Sequence, residues 1–398
     1  MRSGKSGISQ SASTPMRIGV LSSDYREVGG REKFVFEVTE RLSSRHGCEA
    51  HVFAARWQAE RSSVTFHKVP VIPFPRWFKP ISFAWFADRL SKTGSYDIIH
   101  SHDRNFTQDI LTHHGLPHRT WVTQIRKKRA SLFDRATAWV EEKGITHPGS
   151  PWILPVSDLS RSELQKAFQI PESRMRVIHP GISTKRFFTM DREPCRAQIL
   201  RSHGFHKNDL ILLFVGMNFE VKGLDRVLEG ISVFTEGGTK NTRLKLLVVG
   251  KGDKKAYSKM ASDLRIGDQV FFAGVSREVE KYFVASDLFI LPSRLDTFGM
   301  VVLEAMAAGL PVIIAGTVGA RDIVSPDKNG FILSEKNLIA DMTSSLEKLM
   351  NEKFRSVIGK NAKKEAALHD WDMVSDRVMD VYRMRLQQKQ GNGLVGMS

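Results

Sequence analysis

Two α/β domains built on parallel sheets are predicted for this chain, on three observations. Its 398 residues suit two domains of ordinary size, each with its own core. Short apolar runs alternate with segments of helical spacing, the order that builds a parallel sheet. That order is clearest between Ala285 and Gly330. There Leu288–Leu291 reads as a buried strand closed by Pro292, and a loop runs over 293–298. Val301, Val302, Ala305 and Met306 then share one helical face, Gly309 and Pro311 stop the helix, and Val312–Ala315 is a second strand.

A helix that begins beside the carboxyl end of a strand offers free backbone N–H groups and the positive end of its dipole, and so binds anions. Asp296 on the loop and Glu304 on the helix, eight residues apart, flank that point. Carboxylates accept hydrogen bonds from sugar hydroxyls and repel phosphate. The arrangement suits a ligand with both parts, a nucleotide-sugar. Spacing alone serves equally well for a helix cap at Asp296 and a solvated side chain at Glu304.

The stretch D-T-F-G-M-V-V-L-E, 296–304, resembles the E-x7-E motif of retaining, family-4-type glycosyltransferases with the GT-B fold. The A-x-x-A-G-L-P-V-I that follows extends the likeness. Asp296 stands where the family usually has Glu, which keeps the charge but shortens the reach. The resemblance implies two Rossmann-like domains facing across a cleft, with the last helix crossing back to the first domain. Within the family the likeness is to lipopolysaccharide-core glucosyltransferases, through VKGLDRVLEG, DTFGMVVLEA and the basic, aromatic segment 118–139.

Taken in order, residues 1–15 are rich in Ser and Gly without an apolar core and read as a disordered tail, with Met16 as an alternative start. Arg17–Ser22 is a buried strand, the loop 23–30 ends in Gly29–Gly30, and Phe34, Val35, Val38 and Leu42 have helical spacing before the strand His51–Ala54. The glycine pair permits close approach to a ligand, or makes a simple tight turn. The resemblance implies that it faces the donor phosphates. No G-x-G-x-x-G is present, so no dinucleotide cofactor is indicated.

Tyr96–His100 is a further strand, and with Ser101-His102 it resembles the family's D-x-x-H-x-H segment. Asp109 and T-H-H-G at 112–115 follow. Histidines and a carboxylate at strand ends position an acceptor hydroxyl or stabilise charge on a departing phosphate, or else are structural. The resemblance makes His113 and His114 the acceptor-side catalytic candidates, with Asp109 and Asp296 completing the set.

Two segments interleave basic and aromatic residues. Pro73–Leu90 carries Phe74, Trp77, Phe78, Phe83, Trp85 and Phe86, and His118–Trp139 sets Arg126, Lys127, Lys128 and Arg129 between Trp121 and Leu132–Phe133. Such a pattern suits the edge of an anionic bilayer, or a solvated basic helix with its aromatics in the core. No nucleic-acid motif accompanies the charge, and no nucleic-acid partner is expected.

Trp152–Ser157 is a strand, Ser157-Asp158 caps the helix Leu159–Phe168, and Arg176–Ile178 is a strand leading to His179-Pro180-Gly181-Ile182, which resembles the turn that ends the family's first domain. The charged segment 183–208 contains the linker. Leu210–Gly216 opens the second domain as a continuous apolar strand. The following M-N-F-E-V-K-G-L-D-R-V-L resembles the family's V-G-R…K-G pattern, which implies that Lys222 meets the donor diphosphate; Met217 stands in place of the usual Arg. Leu244–Gly250 and Val270–Gly274 are strands, and by the resemblance the base stacks near Val275–Arg277. Val374, Val378, Val381 and Tyr382 mark one face of a final helix, and residues 387–398 read as a tail. Asp370-Trp371-Asp372 spells the D-x-D metal motif of other transferases but sits before that helix, where a carboxylate is an N-cap; no metal is predicted.

The expected division is a tail over 1–15, an acceptor domain over 16–188, a nucleotide-sugar domain over 189–370, a helix over 371–386 packed on the first domain, and a tail over 387–398. Two cysteines build no metal or disulfide framework, which fits a reduced cytosolic compartment, and no run of about 18 apolar residues suggests a transmembrane helix. The net charge of +16 implies an anionic partner: a membrane surface, a phosphorylated acceptor or nucleic acid. The function expected is retaining transfer of a hexose, glucose first, from a UDP-sugar to a hydroxyl of a lipopolysaccharide-core or other glycan or glycolipid. Gly29, Gly30, Lys222, Phe298, Gly299, Met300 and Glu304 bind the donor, with no cofactor. The expected location is cytoplasmic, at the inner face of the membrane, with Arg126–Arg129 as the contact. The alternatives are a GT-B-like sugar-nucleotide epimerase, which has no need of the basic aromatic surface, and a non-enzymatic polyanion-binding protein.

Overall fold

The computed structural model describes residues 14–27, 29–58, 62–149, 151–237 and 243–395. Of the tail expected over 1–15, residues 1–13 lie outside the described ones.

The first domain contains β1 (Arg17–Leu21), β2 (Asp24–Arg26), β3 (Glu49–Ala54), β4 (Arg56–Gln58), β5 (Thr65–Lys68), β6 (Ile98–Ser101), β7 (Ile110–His113) and β8 (Trp152–Pro155). The second contains β9 (Leu210–Gly216), β10 (Leu244–Gly250), β11 (Val270–Gly274), β12 (Leu288–Leu291), β13 (Val312–Ala315) and β14 (Gly330–Leu333). Six strands form each main sheet, in the orders β5-β3-β1-β6-β7-β8 and β11-β10-β9-β12-β13-β14, and β2 and β4 form a separate pair. Every pairing is parallel. Counted within its own sheet, each order is the doubly wound 3-2-1-4-5-6, whose ligand crevice lies outside the carboxyl ends of the strands where the order reverses. Those points are β1/β6 and β9/β12.

Helices cover both faces, so the central strands are buried on both sides and read as continuous apolar runs. In β9, Ile211–Phe214 are wholly buried, with Leu246–Val248 of β10 and Leu288–Leu291 of β12 beside them. Arg176–Ile178, expected as a strand, is edge backbone instead. It reaches β8 through Arg176 N–H to the Ile153 carbonyl at 3.0 Å and Ile178 N–H to the Pro155 carbonyl at 2.9 Å, with only an isolated bridge at Met175. The charged segment after it is largely helical. Its helix Arg192–His203 buries Cys195 and Ile199 in the second domain's core.

The final helix, Trp371–Val395, belongs to the first domain's core. Trp371, Val374, Val378 and Tyr382 pack with Phe34, Val35 and Val38 of the helix Gly30–Ser44. Trp371 is wholly buried, edge-on to Phe34 at 5.7 Å, and a Cβ on Gly181 would lie 2.6 Å from its ring. The hydroxyl of Tyr382 lies 2.8 Å from Nδ1 of His100. The helix does not stop near Leu386. It continues to Val395, so the expected tail from Gln387 is helical that far. Its polar composition suggested disorder, but Gln388 accepts from Trp152 Nε1 at 3.0 Å and Lys389 donates to the Asp97 carbonyl at 3.0 Å, which holds it on the first domain. Asp370 secures the helix start, accepting from Asp372 N–H at 3.1 Å and from the Thr184 hydroxyl at 2.6 Å. The described residues contain no group of three or more acidic, His or Cys side chains placed to hold a metal.

Trp371→Ala should therefore lower the unfolding free energy by roughly 3–5 kcal/mol, the range for a buried aromatic cut to Ala. Denaturant unfolding followed by circular dichroism measures it. A loss under about 1 kcal/mol would mean that the indole is not what docks this helix.

Candidate functional site

A cavity of about 490 Å³ lies between the carboxyl ends of the two sheets. Gly30, Arg31 and His114 line it from the first domain, and Met217, Lys222, Val275, Asp296–Met300 and Glu304 from the second.

The second-domain wall is built by three local devices. Asn218 after β9 accepts from Val221 N–H at 3.1 Å and starts the one-turn helix Phe219–Lys222. Gly223 ends that turn at φ 78°, and a Cβ there would lie 2.2 Å from the Pro292 carbonyl oxygen, so the turn presses against the loop after β12. This brings the Lys222 ammonium onto Oδ2 of Asp296 as an ion pair. The loop itself is pinned at Asp296, whose N–H donates to the Thr317 carbonyl at 3.1 Å and whose carbonyl accepts from Gly319 N–H at 2.8 Å. Gly299, at φ 88°, then turns the chain into the helix Met300–Ala307 with its amino end at the cleft. Glu304 follows one turn later, half-buried; burial pushes its carboxyl up to about 7.

The first-domain wall is held against it. The Thr297 hydroxyl donates to the His114 carbonyl at 3.0 Å, and the Ser157 hydroxyl, the cap of the helix Asp158–Phe168, donates to the Thr297 carbonyl at 2.6 Å. Arg31 follows the glycine pair; its guanidinium pairs with Asp103 and lies 3.1 Å from Glu32. Burial and the nearby Arg31 charge hold the His114 ring well below the usual histidine range, so it is neutral, with Nε2 3.2 Å from Nδ1 of His102.

Two family descriptions divide the chain between them: Glycosyltransferase Family 4 over residues 28–186 and Glycosyl transferases group 1 over residues 196–365. The chain belongs to the GT-B glycosyltransferases. It is 26% identical over 394 residues to an uncharacterised glycosyltransferase of Methanocaldococcus jannaschii, covering 94% of this chain and 99% of the relative. It is 24% identical over 371 residues to the lipopolysaccharide glucosyltransferase WaaG of Escherichia coli, covering 90% and 96%. The crystal structure of WaaG superposes with a TM-score of 0.74 at 20% identity, covering 92% of this chain and 99% of that one. The Anabaena protein HepE in complex with UDP and glucose superposes with a TM-score of 0.69 at 16% identity, covering 93% and 100%.

Within this glycosyltransferase the residues singled out by sequence divide clearly. Lys222, Asp296, Phe298, Gly299, Met300, Glu304, Gly30 and His114 line the cleft. Gly29 does not; at φ 109° it shapes the turn into the helix Gly30–Ser44. His113 points the other way, as successive residues of an extended chain do. It lines a smaller pocket of about 220 Å³, with Nε2 3.2 Å from Glu141 and Nδ1 3.1 Å from the Gly115 carbonyl. Burial alone would raise the Glu141 carboxyl, but Arg104, His113 and the His118 N–H outweigh it and hold it at about 2.

Asp109, expected among the catalytic set, does not line the cleft. It precedes β7, at the amino edge of the sheet, opposite the cleft. Its carboxylate accepts from Ile99 N–H at 2.9 Å and lies 3.1 Å from the Lys389 ammonium, so it anchors the last helix. Arg31 was missed by the sequence reading. The only signal for it is its position directly after Gly29-Gly30.

The basic segment is not one helix. A π-helical turn over Trp121–Ile125 ends at an exposed loop with Lys127 at φ 48°, and the helix Leu132–Ile145 begins at Ser131 with a capping box to Asp134. Arg126 pairs with Asp134 at 3.1 Å, and Lys127, Lys128 and Arg129 are exposed. The aromatics are not all core: Phe74 is 83% exposed and Trp85 49%, and the aliphatic Leu132 is 64% exposed.

Proposed function

We propose that this enzyme transfers glucose, or a closely similar hexose, with retention from a UDP-sugar to a hydroxyl of a glycan or glycolipid of lipopolysaccharide-core type. The observation that carries the reading is one cleft holding the Lys222–Asp296 pair, the amino end of Met300–Ala307 and Glu304 against Gly30, Arg31 and His114. WaaG as a relative supports the acceptor class, and HepE in complex with UDP and glucose supports the donor. The acceptor oxygen bonds to the anomeric carbon, the bond from that carbon to the diphosphate oxygen breaks, and the acceptor's proton leaves with the diphosphate. Lys222 and the helix end meet the charge that develops on the leaving group. Asp296 accepts from sugar hydroxyls once Lys222 turns to the diphosphate, and Glu304 accepts from the ribose. A protein that only bound polyanions would leave this set idle.

Lys222→Ala and Glu304→Ala should each cut turnover roughly 10- to 100-fold with the fold intact, the worth of one charge-assisted hydrogen bond. Release of UDP from UDP-glucose measures it; wild-type rates in both folded variants would refute the assignment.

The pH dependence follows from Glu304. Its carboxyl sits near 7 in the empty enzyme, so below that pH a proton must leave before the carboxylate accepts from the donor. UDP-glucose affinity should weaken as pH falls through about 7 and level off above it. Glu304→Gln should bind more weakly at high pH and lose this slope. Calorimetry between pH 6 and 8 tests it, and a flat wild-type profile would count against the role.

Turnover is expected to persist in chelator, since a lysine and a helix end can meet the diphosphate. Complete loss on chelation, restored by magnesium or manganese, would overturn this.

We further propose peripheral attachment at the cytoplasmic face of the membrane through Arg126–Arg129 and the neighbouring aromatics. No described helix is long and apolar enough to cross a membrane. Each basic residue near an anionic surface adds about 1 kcal/mol, screened by salt. Neutralising all four should release the protein from anionic vesicles with UDP binding unchanged. Equal flotation with neutral and anionic lipid, or no effect of the fourfold change, would remove this segment as the contact.

A further inference from the structure

A further cavity, of about 340 Å³, lies on the second domain at the edge of its sheet opposite the cleft. Asp287, just before β12, and Gly309–Pro311, just before β13, place it at the amino ends of those strands. Arg192 closes it from the linker segment, and the helix Glu352–Ala367 brings Arg355, Lys360 and Lys363 to one wall. It shares no lining residue with the donor cleft.

How those charges are paired decides what the cavity can hold. Arg192 is engaged by Asp287 at 2.7 Å, but the same carboxylate also takes Arg196 at 3.0 Å, so one negative charge serves two guanidiniums. Arg355 is half-buried and donates to the Leu349 and Met350 carbonyls at 2.7 and 3.3 Å, neither of which carries charge. Burial holds its guanidinium below the usual arginine range, and Asp287 and Glu352 nearby do not make up the loss. Lys363 lies 4.5 Å from the ring centroid of Phe188, and Lys360 is exposed. Among the described residues no carboxylate pairs with either lysine. Glu352, at the first turn of the helix, is about 12 Å along the axis from Lys360 and does not neutralise it. Positive charge left over in a cavity of this size matches a compact anion of more than one charge. A phosphate ester carries close to two negative charges at neutral pH, where a carboxylate carries one.

The cavity also touches the element that holds the donor. Gly309, at φ 81°, follows the helix Met300–Ala307 at its carboxyl end. The helix Glu352–Ala367 meets it there backbone to backbone: a Cβ on Gly359 would lie 2.2 Å from the Gly309 carbonyl oxygen. The Lys363 stem reaches the same place, with its Cδ 3.9 Å from where a Cβ on Gly309 would stand. Cations beside the carboxyl end of a helix offset its negative pole. The amino end of this helix, about 12 Å away, lines the donor cleft. An anion that engages Lys360 and Lys363 withdraws that offset and bears on the packing at Gly309.

We propose that this cavity is an effector site for a small phosphate-bearing anion, held by Arg355, Lys360 and Lys363, and that its occupant weakens donor binding through the helix Met300–Ala307. The effect on the donor rests on the transferase reading; the anion site does not.

Calorimetry on the full chain at constant ionic strength tests it, with pyrophosphate as the probe and acetate as the singly charged comparison. Pyrophosphate should bind UDP-saturated protein about ten-fold tighter than acetate does. Lys360→Ala with Lys363→Ala should remove about ten-fold of that affinity, and Lys360→Arg with Lys363→Arg should keep most of it. Lys353→Ala with Lys364→Ala, a change of equal charge on the same helix outside the cavity, should leave it in place. Saturating pyrophosphate should weaken UDP binding about five-fold and then level off, and UDP should weaken pyrophosphate by the same factor. The Lys360/Lys363 Ala variant should lose this effect. Binding no tighter than that of acetate, binding unmoved by that variant, or equal loss in the Lys353/Lys364 variant would overturn the site. A weakening of UDP that grows without limit, or that survives in the Lys360/Lys363 variant, is competition in the donor cleft and would overturn the effector role, as would UDP affinity unmoved by pyrophosphate. UDP binding retained in those outcomes leaves the transferase reading standing; failure of the wild type to bind UDP strikes that reading instead.

Discussion

The second domain ends inside the first, and the geometry of the cleft depends on that. Trp371 leaves the second domain and is wholly buried against Phe34 and Gly181, on the helix that also carries Tyr382 to His100. With the helix docked, the two carboxyl edges meet at a set distance, and short hydrogen bonds cross between them. Thr297 joins His114 and Ser157, and Asp322 accepts from Asp158 N–H at 2.7 Å and lies 3.2 Å from His179. Thr297 lies between Asp296 and Phe298, so the residue that ties the domains together sits in the loop that forms the site. A change in domain angle therefore moves the chemistry directly.

That loop and the turn at Lys222 are held before any ligand arrives. Lys222 is placed by the Asn218 cap and by the contact of Gly223 with Pro292, and Asp296 by two backbone hydrogen bonds. Groups fixed in this way need little reorganisation when charge develops on a leaving group, which is where preorganised electrostatics act most strongly. Asp296 in place of Glu fits the same design. The shorter carboxylate sits on the pinned loop backbone and still reaches the lysine.

Much of this was legible in the sequence because burial on both sheet faces writes strands as unbroken apolar runs. The boundaries expected for β9, β10, β11, β12 and β13 are those observed. The cleft residues from Lys222 to Glu304 were legible through the motifs that carry the family resemblance. Other features depend on long-range contacts that composition does not record. Asp109 was misplaced because the carboxylate is equally visible at either end of a strand, and only the register of β7 shows that it lies at the amino edge. The end of the last helix was missed because Gln388 and Lys389 find partners some 236 and 292 residues away. Arg31 was missed because an arginine after two glycines looks like any surface charge until Asp103 draws it toward the cleft.

The net charge of +16 also reads differently once the site is built. The donor cleft is lined by two permanent cations, Arg31 and Lys222, and by two carboxyls, Asp296 and Glu304. Lys222 is already paired with Asp296, and Arg31 with Asp103. The cleft therefore has little unbalanced charge to give, and on the proposed reading a donor would be met there by geometry and a helix end more than by bulk attraction. The excess positive charge has to act elsewhere. On the first domain Lys68, Lys79 and Lys127–Arg129 stand without carboxylate partners among the described residues, beside exposed Phe74 and Leu132. An unbalanced patch of this kind raises the local concentration of anions and speeds their encounter, an effect that falls with ionic strength. This share of the charge asymmetry thus lies on the first domain, away from the balanced cleft.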